Sequence, residues 1–276
     1  MSLRELLATS FVQHAFYAVT AVALAAGAVG YFVVLRRQAF AAHAIGHVGF
    51  AGAAGAVLLG LSPIFGLLVF CLGAGLLIGF AGAELDDRDA VVGVTLTAAL
   101  GLGVLFISLY SGYANATYSI LFGQILGVTW SDVGLVAALS MGVLLVVSLT
   151  YRPLLFVSVD AQSAASRGLS TRAMSLLFMS LLGVTTVVAI QIVGVLLVFS
   201  LLVAHAAAAE VLTSRPLRTM FLAMGFALAS AWLGLFFGVW IGGPVSFWIT
   251  ALASLAYLTA RATNATRARR ARRVVA

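Results

Sequence analysis

Residues 173–209, AMSLLFMSLLGVTTVVAIQIVGVLLVFSLLVAHAAAA, form a stretch of 37 residues without one Asp, Glu, Lys or Arg. A helix needs about 20 apolar residues to cross the hydrocarbon core of a bilayer, so this stretch is long enough for two crossings. Five further stretches also lack these four residue types: 6–35, 38–83, 90–131, 133–151 and 219–260. The sequence therefore predicts a bundle of membrane-spanning helices.

The composition supports this prediction. The 276 residues are 63% hydrophobic and 8% charged, whereas soluble domains have about 25% charged residues. We expect an all-α polytopic bundle that forms a single transmembrane domain over residues 1–276. Polar residues in segment 111–130 indicate a re-entrant or interfacial piece. About nine spans are predicted, at 12–35, 45–61, 64–82, 91–110, 131–151, 173–189, 191–208, 219–240 and 245–260.

The basic residues set the expected orientation and exclude one activity. All 15 are Arg, so the chain lacks the lysine of a phosphate-binding P-loop and is not expected to hydrolyse ATP itself. Six of them lie in the tail 261–276, which we interpret as a segment facing anionic lipid rather than nucleic acid. The positive-inside rule then predicts a cytoplasmic carboxyl end and, with nine spans, an external amino end.

Two histidines stand out at the start of the second predicted span. His43 and His47 are four residues apart, so both imidazoles lie on one helix face, and ionisable groups at membrane depth usually face a cavity or a pathway. Two neutral imidazoles suit zinc, while manganese prefers more oxygen ligands. The remaining ligands would come from other spans, water or a second copy of the chain. Equally, both rings could pack at the interface beside lipid headgroups.

An enzyme is less consistent with these residues. A zinc protease helix of the H-E-x-x-H type carries a carboxylate directly after the first histidine, where this chain has Ala44. His205, in the seventh predicted span, and His14, in the first, are interpreted as hydrogen-bonded structural histidines. The single cysteine, Cys71, cannot form an intrachain disulfide and is interpreted as a packing residue.

The cytoplasmic segment 152–172 has the features of a docking helix. Asp160 can cap a short helix, Ala161, Ala164 and Ala165 are small enough for close approach of a partner, and Gly168 can end the helix. A short amphipathic helix in a polar loop is also common in membrane proteins.

Several stretches together resemble the membrane-spanning subunits of the bacterial ABC importers for zinc, manganese and chelated iron. The resemblance runs over nearly the whole chain, and the order and spacing of the motifs carry it. These motifs are FVVLRR at 32–37, the His43 segment at 42–52, LFGQIL at 121–126 followed by Trp130-Ser131-Asp132, the set Asp160, Ala164 and Gly168, and QIVGVLL at 191–197.

The resemblance implies a homodimeric permease with its pathway on the two-fold axis, a cytoplasmic ATPase pair and an extracellular solute-binding protein. The family's metal-contacting D-x-x-x-H pair maps onto His43 and His47, and the imidazole at 43 favours zinc over a harder ion. The family commonly has proline where His205 stands, which makes His205 a candidate additional ligand, whereas Glu210 is interpreted as an ordinary interface residue. No permanently bound cofactor and no nucleic-acid partner are expected.

Two alternatives to a zinc or manganese permease follow from the same residues. One is a permease of the same fold for a metal chelate or a vitamin, which would not need bare ligands such as His43 and His47. The other is a secondary transporter or a membrane scaffold, which would not need a partner ATPase.

Overall fold

The computed structural model describes residues 9–84, 88–110, 121 and 123–275, with side chains at 9–80, 89–110, 121 and 123–266. Over these residues the chain folds into helices joined by short turns. The helices are α1 (Ser10–Leu35), α2 (Ala39–Leu58), α3 (Pro63–Glu84), α4 (Arg88–Leu109), α5 (Trp130–Val159), α6 (Ala161–Ser166), α7 (Thr171–Val193), α8 (Val195–Phe199), α9 (His205–Leu212), α10 (Pro216–Trp240) and α11 (Val245–Val275).

Nine spans in the described part of the chain are long and apolar enough to cross a membrane. Eight of them correspond to single helices, while α8, a π-helical segment at Ser200–Ala204 and α9 together form the ninth, Val195–Leu212. With six residues, α6 is too short to cross. The predicted all-α bundle of nine spans is confirmed.

Consecutive spans that pack together run in opposite directions. Gly66 of α3 packs against Gly52 of α2, while Cys71, further along α3, donates to the Ile45 carbonyl, further back in α2. Gly234 and Gly238 of α10 pack in the same antiparallel order against Ile249 and Val245 of α11. The connections at 36–38, 160–170 and 213–215 therefore lie at one end of the bundle, called the basic end here because Arg36, Arg167 and Arg215 belong to it. The α2–α3, α7–α8 and α10–α11 connections lie at the opposite end.

The second, fifth and ninth spans begin or end elsewhere than predicted; the ninth was predicted to end at 260, but α11 continues to Val275. The turn between α1 and α2 takes only three residues, with Arg37 at a φ of +55°, so α2 begins at Ala39 rather than near residue 45. The fifth span was predicted to end at 151, but α5 continues through Arg152 and Pro153 to Val159. A helix of 30 residues is about 45 Å long, so α5 extends beyond a hydrocarbon core of about 30 Å.

Glycines allow neighbouring helices to pack closely. A Cβ added to Gly75 would lie 2.8 Å from the Met179 carbonyl oxygen of α7, and one added to Gly234 would lie 2.5 Å from the Ile249 side chain of α11. Small residues on these faces bring neighbouring helix backbones together, as is common in membrane bundles.

The chain departs from regular α-helix just before the seventh span, at Gly194, and again within it, at the π-helical segment Ser200–Ala204. Gly194 separates α7 from α8 with φ 84° and ψ 163°, a conformation almost restricted to glycine. Gly123, at φ 75°, packs on the Ile192 carbonyl beside this break. Most of the predicted re-entrant segment 111–130 is residues 111–120 and 122, outside the described residues; its end is a 3-10 turn at Ile125–Gly127 that leads into α5.

Candidate functional site

The two imidazoles of α2 lie together on one face of the helix. The ring centroids of His43 and His47 are 4.6 Å apart and their planes are nearly perpendicular, at 79°. Both side chains are partly exposed, although Ala42, Ala44 and Ile45 beside them are buried. The pair therefore points away from the core of its own chain, in the arrangement that the spacing of four residues predicts.

Free space adjoins this pair. Gly46 is buried, yet a Cβ added to it would meet no atom within 4 Å. The Phe199 ring of α8 contacts His43 with a centroid separation of 5.2 Å. Two nitrogen donors and open space suit a divalent metal ion, but no three His, Cys, Asp or Glu side chains in the described part of the chain could hold one together. A third ligand of these types would have to come from outside these residues.

His205 does not join this group. Its side chain is 0% exposed, and it stands six residues after Phe199, about 9 Å along a helix. Its Nδ1–H donates to the Leu201 carbonyl at 3.2 Å, while Nε2 is buried and has no hydrogen-bond partner among the described residues. These contacts favour the structural interpretation of His205, and a ligand role for it stays a prediction.

His14 also has a structural environment. Its Nδ1–H donates to the Val128 carbonyl at 3.0 Å, and its ring lies 4.4 Å from the Trp130 ring. These contacts join α1 to the residues that precede α5.

The short helix predicted within 152–172 is present as α6, and its docking role stays a prediction. Asp160 caps it by accepting a hydrogen bond from the Ser163 N–H at 2.9 Å, and hydrogen bonds from Ser163 lower the pKa of the Asp160 carboxyl. Gly168, at a φ of +83°, follows its end. Ala164 is fully buried against its own chain, whereas Ala161 and Ala165 are exposed. Ala164 therefore positions the helix, and its neighbours form the free surface.

An arrangement that sequence reasoning missed lies at the end of the bundle opposite the basic end. The Gln191 amide of α7 donates a hydrogen bond to the Asp132 carboxylate of α5 at 3.3 Å. Both residues line a cavity of about 230 Å³, together with Gln124. Both also belong to motifs quoted above, but their contact joins residues 59 positions apart, and sequence spacing gives no signal for such a pair.

Nine apolar spans in the described part of the chain define a multi-pass membrane protein. The model of the ABC 3 transport family matches residues 8–264. The chain belongs to this family. It is accordingly a transport component of the cell membrane and not an enzyme.

Known proteins similar to this chain include manganese transport proteins. MntD of Bacillus subtilis is 32% identical over 87% of both chains, and MntC of Halalkalibacterium halodurans is 31% identical over 85% of this chain and 81% of its own. The chain matches only 57% of the length of ScaB of Streptococcus parasanguinis, a manganese import permease, at 35% identity. PsaBC from Streptococcus pneumoniae, solved in complex with Fab, superposes with a TM-score of 0.84 at 29% identity over 94% of both chains.

Proposed function

We propose that the chain is the permease subunit of an ATP-driven importer for a divalent metal ion, with manganese as the first candidate. The observation that carries this proposal is the His43/His47 pair, two metal-ligand side chains that remain partly exposed within a span free of charged residues. The names of the manganese relatives that align with over four-fifths of the chain support the same cargo.

Zinc is the second candidate, on the chemistry of the pair alone. Imidazole nitrogen suits zinc well, while manganese prefers carboxylate and carbonyl oxygen. His43 provides a nitrogen ligand where the resemblance leads us to expect a carboxylate. No relative described above is named for zinc, so this candidate depends on one residue.

The ion site is proposed to form between two copies of the chain. Each copy presents two imidazoles on a partly exposed face, and the described residues of one copy supply no third ligand of the His, Cys, Asp or Glu type. Metal sites need about four ligands for zinc and about six for manganese. A second pair related by a two-fold axis would bring the number of imidazoles to four.

Two partner proteins complete the proposed importer. Because the chain contains no lysine, ATP hydrolysis is assigned to a separate pair of ATPase subunits, and the exposed surface of α6 around Ala161 and Ala165 is proposed to dock on them. A solute-binding protein would deliver the ion at the opposite end of the bundle. The basic end is placed in the cytoplasm by the positive-inside rule.

Transport by a reconstituted complex tests the proposal. The chain, its ATPase and its binding protein in proteoliposomes should take up radiolabelled manganese only when ATP is present on the ATPase side, and the chain alone should hydrolyse none. Zinc uptake measured in parallel ranks the two metals. ATP-dependent uptake of neither metal by a complex that hydrolyses ATP normally would refute the proposal.

A further inference from the structure

The cavity beside Asp132 has walls from four parts of the chain. They are the first turns of α3, the turn before α5, Asp132 in the first turn of α5, and the last turn of α7. Its volume of about 230 Å³ is far larger than the roughly 30 Å³ that one water occupies in the liquid. The cavity therefore has room for an ion that keeps part of its water shell.

The Asp132 carboxylate is held in a fixed position by neutral donors. Its Oδ2 accepts hydrogen bonds from the Thr129 N–H at 3.0 Å and the Thr129 hydroxyl at 2.6 Å, and its Oδ1 accepts one from the Gln191 amide at 3.3 Å. Among the described residues that line the cavity, Asp132 alone is ionisable. These hydrogen bonds fix the negative charge without neutralising it, and a partly buried charge is stabilised by a counter-charge.

The orientation of the Gln191 amide follows from this contact. A carboxylate only accepts hydrogen bonds, so the nitrogen of the amide must face Asp132 and the oxygen must point elsewhere. This oxygen, Oε1, is buried and has no hydrogen-bond partner among the described residues. A buried carbonyl without a donor is unfavourable and marks a place where a ligand or an ordered water is expected.

We propose that Asp132, Gln191 and Gln124 form a second cation site, in which oxygen atoms of the carboxylate and the amides, together with water, hold a divalent ion before it reaches His43 and His47. Carboxylate, carbonyl and water oxygens are the ligands of hard ions such as manganese and magnesium. The site differs in this respect from the imidazole pair. The ion's identity rests on the proposed function, whereas the binding itself does not.

The test is direct binding of Mn²⁺ to the purified full-length chain in lipid nanodiscs, followed by electron paramagnetic resonance. A variant with His43→Ala and His47→Ala removes the imidazole pair, and it should still bind one Mn²⁺ per chain. Adding Asp132→Asn should weaken that binding by about tenfold or more. The Asn side chain retains an oxygen that accepts hydrogen bonds from Thr129, so the helix cap is preserved. An unchanged thermal unfolding temperature would verify that the variant folds normally.

Two further variants separate an ion site from a hydrogen bond that only joins α5 to α7. Gln191→Glu places a second carboxylate beside the first, so Mn²⁺ should bind more tightly if the cavity holds a cation. Asp89→Asn, which removes an exposed carboxylate in the first turn of α4, is the matched control and should change nothing. Equal Mn²⁺ affinity in the Asp132→Asn, Gln191→Glu and control variants would overturn the inference. Failure of the importer to transport either manganese or zinc, with this binding intact, would overturn the proposed function alone.

Discussion

The backbone of Leu202 occupies the space that a side chain on Gly30 would need. A Cβ built on Gly30 would overlap the Leu202 carbonyl oxygen, and the carbonyl carbon lies 2.9 Å away. Leu202 belongs to the π-helical segment of the seventh span, and Gly30 lies near the end of α1. This contact holds α1 against the π-helical segment of the seventh span.

We expect Gly30→Ala to destabilise the bundle. The added methyl must displace a backbone carbonyl, and overpacking of this kind costs about 1–3 kcal/mol. The matched control is Gly225→Ala in α10, where a Cβ would meet no atom within 4 Å. That change should be neutral or stabilise slightly, because alanine favours helix over glycine by about 0.5–1 kcal/mol. The measurement is the thermal unfolding midpoint of each of the two variants in detergent. Equal midpoints for the Gly30 and Gly225 variants would argue against the Gly30–Leu202 contact.

The imidazole pair gives the second prediction. Replacing either His43 or His47 by Ala should abolish metal uptake while the complex still assembles with its ATPase, because a metal site depends strongly on each ligand. His43→Asp should move preference from zinc towards manganese, since a carboxylate is a harder ligand. Uptake of both labelled metals at matched expression is the measurement. Normal metal uptake by the double alanine variant would show that the two histidines have a structural role and do not bind the ion.

The third prediction concerns the two faces of α6. Ala165→Trp adds bulk on the exposed face, so it should reduce stimulation of the ATPase without changing thermal stability. Ala164→Trp adds bulk at a position that is 0% exposed, so it should lower thermal stability as well. Co-purification with the ATPase, stimulated turnover and unfolding temperature are measured for both. Full stimulation by the Ala165 variant would show that docking occurs elsewhere.

Topology is the subject of the fourth prediction. Single cysteines are introduced into a Cys71→Ala background. The Arg167→Cys variant should react with a membrane-impermeant thiol reagent only from the cytoplasmic side, and the Gly243→Cys variant only from outside. Both positions are exposed in the structure, so access depends on the side of the membrane alone. External labelling at 167 would invert the proposed orientation and remove the docking role of α6.

The helical bundle was predictable because the absence of charged residues from long stretches can be read directly from the sequence. Charged side chains are costly within a bilayer, so their absence from long stretches marks the nine spans. The ends of helices were less predictable. Pro153 lacks a backbone N–H, yet it remains within α5, because backbone outside the bilayer core can bond to water. Arg37 closes a tight turn at a positive φ that nothing in its type indicates.

The site was only half predictable for a related reason. His43 and His47 lie on one helix, and a spacing of four residues fixes their relative position before any tertiary contact forms. Gln191 and Asp132 meet only because α5 and α7 pack together. The burial of Ala164 likewise depends on how α6 folds back onto the chain, since a small residue is equally suited to an internal contact or to a partner.

The π-helical segment at Ser200–Ala204 has a consequence for changes in chain length. A π-helical turn accommodates one residue more than an α-helical turn. Deletion of one residue there would leave a regular α-helix in which His205 and all of α9 keep the faces they now present. A deletion elsewhere in the same span would rotate everything after it by about 100°. The seventh span can therefore lose one residue within this segment without any rotation of the residues that follow. Such a deletion would also remove the π-helical turn that brings Leu202 against Gly30.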